Sequence, residues 1–160
     1  MIEPVFERSF IYDSFSCRIG KGTHGAVKRL RRFLIKASRN NTRTVYGLKC
    51  DVKKFFASVN HSLLLKFICK RIQDDQTIGL LKLVVASFSI LQNSGVPLGN
   101  LTSQLFANIY LNELDNFIKN RLREKFYLRY GRFKILAQQF CVKGFFRSSP
   151  SQSLSWSFIN

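Results

Sequence analysis

Acidic side chains are scarce in this sequence. Nine Asp and Glu stand against 26 Lys and Arg over 160 residues, a net charge of +17. None follows Glu124. A chain this basic seeks a polyanion, either nucleic acid or, less often, an anionic membrane surface. Cysteines at metal-ligand spacing are missing as well. Cys17, Cys50, Cys69 and Cys141 form no C-x-x-C pair, and no histidine sits at ligand distance from them. That argues against zinc, and scattered thiols fit a reducing cytoplasm. The opening MIEPVFERSF has no basic region followed by an apolar stretch, so it does not read as a signal peptide. The longest apolar run, IGLLKLVVASFSIL (78–91), is too short to cross a bilayer and contains Lys82. It reads as a buried helix, and no membrane is expected as a partner. No internal repeat is present.

What the chain does have is core-forming material. Hydrophobic residues make up 46%, and 16 are Phe. That suffices for one folded domain, with most of the phenylalanines inside. The stretch RIGKGTHGAVKRLRRFLIKAS predicts a helix capped by Thr23, with Val27, Leu30, Leu34 and Ala37 at helical spacing. Lys28, Arg29, Arg31, Arg32 and Lys36 crowd its other positions. They form either a solvated basic face or, with Arg18, Lys21, Arg39 and Arg43, a surface for phosphates. TVYGLKCDV reads as a strand ending at Asp51. Helices follow in NHSLLLKFICKRI, capped near Ser58 or Asn60, and in DDQTIGLLKLVVASFSIL, with Asp74 or Asp75 near its start. After the turn-rich NSGVPLGN, a third long helix has Leu105, Ile109, Phe117 and Ile118 on its apolar side. FYLRYGRFKIL (126–136) reads as a hairpin turning on Gly131-Arg132. Beyond it, the acid-free, Ser-rich segment 137–160 is expected to be irregular.

An aspartate at a strand end can hold Mg²⁺, whose hard charge prefers oxygen, or can simply cap a loop. Three blocks decide between these by resemblance. Asp51-Val52-Lys53-Lys54-Phe55-Phe56-Ala57-Ser58-Val59 resembles the D-[IV]-K-x-[FY]-[FY]-x-S-[IV] block of bacterial reverse transcriptases. The resemblance implies that Asp51 is a catalytic, metal-binding acid and that Phe56 packs under the incoming sugar. It implies a structural role for His61. The second block is Gly95, Pro97, Gly99, Ser103 and Gln104. It is similar to the family's G-x-P-x-G-x-x-x-S-[PQ] loop beside the incoming nucleotide, where glycine lets backbone approach a ligand closely. Its Ser103-Gln104 ending looks like the reverse transcriptases of diversity-generating retroelements. The third, earlier block is Arg18, Gly20, Gly22 and His24, similar to R-x-G-x-[GS]-x-H-x-A.

The family implies an α+β fold, with residues 1–45 as a basic remnant of the fingers and 46–136 as a partial palm of a small antiparallel sheet and packed helices. It implies an RNA template and DNA primer as partners, an accessory protein of the retroelement, and Mg²⁺ as cofactor. Arg18, Lys21, Lys28, Arg29, Arg31 and Arg32 are the candidate nucleic-acid contacts. One departure is decisive. The family's R-Y-x-D-D-F-x-[IL]-L hairpin stands here as Arg129-Tyr130-Gly131-Arg132-Phe133-Lys134-Ile135-Leu136, without either aspartate and one residue shorter. The expectation is a truncated, degenerate reverse-transcriptase domain that binds metal weakly and is inactive alone. A non-enzymatic RNA-binding protein is the main rival, and an enzyme completed by a second polypeptide is a third reading.

Overall fold

A computed structural model describes residues 2–88, 93–97, 99–138 and 154–159. The chain divides into two compact units. The first comprises residues 1–12 and 54–117 and the second residues 13–53 and 118–160. The mixed helix and sheet content is that of an α+β protein.

The first unit is helical: α1 (Glu3–Glu7), α3 (Phe55–Ser58), α4 (His61–Cys69), α5 (Asp75–Ala86) and α6 (Leu101–Asn116). Its helices begin where polar caps stand. The Asn60 side chain accepts from Leu63 N at 3.0 Å, Asp74 from Thr77 N at 2.7 Å, and Asn100 from Thr102 N at 3.1 Å. Each satisfies an amide that the first helical turn leaves unpaired. Thr77 holds the exposed Asp74 carboxyl below its usual range, through side-chain and backbone hydrogen bonds. The depressed value means this cap helps above the ordinary carboxylate range and is lost as pH falls through it. Asn60→Ala should cost about 1 kcal/mol in urea unfolding, and Asn60→Ser should recover most of it. A loss no larger for Ala than for Ser would mean that the cap is replaced by solvent. Inside the unit, Val59, Leu64 and Ile68 are fully buried. Phe55 stacks edge-on to Phe56 and Tyr110, with ring centroids 5.3 and 6.2 Å apart.

The second unit holds the sheet: β1 (Ser14–Phe15), β2 (Tyr46–Val52), β3 (Tyr127–Tyr130), β4 (Phe133–Gln138) and β5 (Leu154–Ile159). The spatial order is β1-β3-β4-β2-β5, with β1 and β3 parallel and the other pairs antiparallel. The hairpin forms as its turn signal requires. Tyr130 pairs with Phe133, and Gly131 takes φ +55° at the first turn position, where a side chain would be strained. A π-helical turn, Phe117–Arg121, leads toward β3.

Helix α2 (Thr23–Ala37) belongs to this second unit. Residues 1–45 are therefore split, and the basic helix shares a core with the hairpin. Ala26, Phe33, Phe15 and Leu128 form that core, with Leu30, Phe126 and Tyr130 against it. Two expectations about α2 are corrected. Its N-cap is Gly22, not Thr23, because the Thr23 hydroxyl is hydrogen-bonded to the Tyr130 hydroxyl at 2.8 Å. Its buried stripe is 26-30-33-37 rather than 27-30-34-37, leaving Val27 60% and Leu34 39% exposed. Phe117, expected on the apolar side of the third long helix, instead starts the π-helical turn after α6 and is exposed, while Phe106 and Leu111 on α6 are buried. Within the tail expected to be irregular, 154–159 pairs with β2 as a strand. The rest of that expectation, at 139–153, lies outside the described residues.

Candidate nucleic-acid interface

Charge is divided unequally between the units. The first carries six basic and six acidic residues and is neutral. The second carries the remaining 20 basic residues and three acids, Asp13, Asp51 and Glu124, and so the whole excess of +17. A field strong enough to attract a polyanion therefore originates in the sheet-bearing unit.

Asp13 and Asp51 are each engaged by cations. Asp13, 5% exposed, meets Arg29 Nε at 2.6 Å and Lys119 Nζ at 2.8 Å. Arg29 also lies over the Phe33 ring at 4.6 Å, and Lys119 over the same ring at 5.4 Å. Arg29, a candidate phosphate contact, is thus committed to a buried ion pair. Arg18 donates from Nη1 to the Ser14 carbonyl at 2.7 Å, and Lys21 lies over the Phe15 ring at 5.2 Å. Both are held against β1. Lys28, Arg31 and Arg32 remain exposed on the solvent side of α2. At the end of this helix, Arg39, Asn40 and Asn41 all take positive φ. There an open cavity of about 410 Å³ is lined by Ser38, Asn41, Thr42, Arg43 and Thr44 among others. Of the basic residues on and around α2, Lys28, Arg31, Arg32, Lys36, Arg39 and Arg43 are exposed and can be presented to a polyanion.

Asp51 ends near the hairpin turn. Its Oδ1 lies 3.2 Å from Arg132 Nε. This is a charge contact without hydrogen-bond geometry, and Oδ1 is a buried oxygen that accepts no hydrogen bond among the described residues. Such an orphaned carboxylate oxygen could take one bond to a metal. A cation needs more than that, and among the described residues no group of three or more His, Cys, Asp or Glu comes together. A guanidinium stands where further acids would be needed, so the residues present do not fit a two-ion site. Behind the turn, Arg129 is fully buried and donates to Ser14 Oγ at 2.7 Å and to the Gly131 carbonyl at 3.0 Å. The Arg of the Arg-Tyr pair thus braces the hairpin.

The other candidate residues lie in the first unit. Val96 N donates to the Phe56 carbonyl at 2.8 Å and Gly95 N to the Val59 carbonyl at 2.9 Å. Buried His61 donates from Nε2 to the Gly95 carbonyl at 2.6 Å. This straps the loop of Gly95 and Pro97 to the segment bearing Phe56, with His61 as the clasp. Gly95 and Gly99 take φ of +106° and +83°, the conformation for which glycine suits those motif positions. Gln104 is half-buried on the first turn of α6. Ser103 is 1% exposed, and its Oγ has no hydrogen-bond partner among the described residues. Sequence reasoning missed the residues that brace the second unit, Asp13 and Lys119. Their partners are distant in the chain, and neither lies in a recognisable motif.

This chain is similar to group II intron-encoded proteins. It is 31% identical over 134 residues to the group II intron-encoded protein LtrA of Lactococcus lactis, covering 79% of this chain and 21% of LtrA. It is 29% identical over 126 residues to protein YkfC of Escherichia coli, covering 75% of this chain and 32% of YkfC. It is 26% identical over 133 residues to the COX1/OXI3 intron 2 protein of Saccharomyces cerevisiae, covering 79% of this chain and 15% of that protein. The chain thus spans a third or less of the length of these relatives. No family model matches it. Its fold is similar to that of apo telomerase from Candida tropicalis truncated from its C-terminal domain. The TM-score is 0.61 at 15% identity, over 86% of this chain and 32% of that one.

Proposed function

We propose that this chain is a part of a reverse-transcriptase domain that has kept the nucleic-acid-binding surface and lost the polymerase centre. The observation that carries the reading is Arg132 against Asp51, on a hairpin whose flanking residues match the family's and whose acids do not. Template-directed DNA synthesis requires two metal ions to hold the attacking and leaving oxygens. One carboxylate beside a guanidinium does not supply that cluster. The similarity to intron-encoded proteins and the telomerase-like fold support the family. The Ser103-Gln104 ending supports a relationship to the diversity-generating type. RNA is the expected partner, with binding but no turnover, and no helix among the described residues is long and apolar enough to cross a membrane.

The test is primer extension on an RNA template with Mg²⁺ or Mn²⁺, run beside RNA binding by the same preparation. The expected outcome is binding without an extended product. Extension that disappears in Asp51→Ala would show that the centre survives. Co-purification of a second polypeptide that restores extension would favour the reading in which the acids come from elsewhere.

A further inference from the structure

Around the hairpin turn, the cations outnumber the acid. Lys49 Nζ lies over the Phe133 ring at 4.9 Å, and Arg132 lies over the same ring at 5.2 Å. Lys49 and Asp51 are two positions apart on β2 and so share a face of the sheet. Asp51 Oδ1 meets Arg132 at Nε, 3.2 Å away. A guanidinium has five donors in a planar fork, and this side chain remains 42% exposed. Its other edge is therefore open to a second anion. One carboxylate against two cations leaves a net positive place, set on the unit that carries the whole charge excess.

We propose that this turn is an anion site, in which Arg132 and Lys49 hold a phosphodiester of single-stranded nucleic acid without a metal. Asp51 is the competing anion at this site. The occupant follows from charge complementarity and rests on the reading that the chain binds RNA. Asp51 competes with phosphate for the guanidinium. The same aspartate would have the opposite effect if it held a divalent ion, which gives the proposal a sign that can be measured.

The experiment titrates the full chain against a short fluorescent oligouridylate at about 0.1 M salt, in EDTA and in Mg²⁺. Asp51→Asn removes the competing charge and should tighten binding in EDTA. The gain should be about fivefold, the effect of one more phosphate contact on a single strand. Arg132→Gln and Lys49→Gln should each weaken it by a similar factor. Arg132→Lys should retain most of the affinity, which separates lost charge from a disturbed turn. Mg²⁺ should only weaken binding, as a competing counterion. Weaker binding by Asp51→Asn, or Mg²⁺-dependent tightening that this variant abolishes, would overturn the proposal. Unchanged binding by both the Gln variants would also overturn it, while loss of binding in α2 variants would leave the RNA-binding reading intact. A wild-type chain that binds no oligouridylate would remove both.

Discussion

Asp13→Ala should strongly destabilise the sheet-bearing unit. Asp13 lies where β1 begins, almost without solvent contact, and balances two cations at 2.6 and 2.8 Å. Its backbone carbonyl also accepts from Arg129 N at 2.9 Å. Removing the carboxylate leaves Arg29 and Lys119 close together with no anion between them. Breaking a buried pair by deleting one partner typically costs 3–5 kcal/mol, and we expect about 3, because Arg29 still reaches water. That is a large share of the roughly 5–15 kcal/mol by which domains are stable. The midpoint of urea unfolding should fall sharply while its slope stays the same. Lys119→Met made together with Asp13→Ala should cost less than the sum of the two alone, since one stranded cation is then gone. A loss below about 1 kcal/mol for Asp13→Ala would mean that the pair is worth no more than a surface ion pair.

The second large effect is on RNA affinity. Replacing Lys28, Arg31 and Arg32 together by Gln should flatten the log–log dependence of binding on salt by about 2, at 0.7 per phosphate contact on a single strand. At 0.1 M salt this amounts to about a hundredfold loss, shrinking as the salt approaches 1 M. Arg29 is left in place because its pair with Asp13 makes it part of the fold, and Arg29→Gln should show its effect in stability. The matched control removes Lys66, Arg71 and Lys82 from the neutral unit, and that variant should keep the wild-type slope. Equal flattening in both variants would mean that only total charge matters and that α2 is a merely solvated face.

Several features were legible from short windows. The turn at Gly131-Arg132, the helix starts near Asn60 and Asp74 and the strand ending near Asp51 depend on residues within a few positions of one another. Local backbone preference and side-chain capping decide them. The three motif blocks were legible because their glycines and aromatics keep fixed order and spacing. His61 was readable as structural, though its hydrogen bond to the Gly95 carbonyl was not.

Composition and order in the sequence determined the charge excess, the local starts and stops of most helices, and the absence of acids from the hairpin. Tertiary structure alone decided which side of α2 faces inward. Positions 27-30-34-37 and 26-30-33-37 are both helically spaced, and the choice fell to the set that Phe15, Leu128 and Phe126 could cover. It also decided that Arg29 serves the fold, because the partner that claims it lies 16 residues earlier and shares its carboxylate with Lys119 from 106 residues away. Only the pairing of β2 with β4 brought Arg132 to Asp51. Charge pairs of this kind are set by which strands meet, and helical period or local propensity carries no record of that.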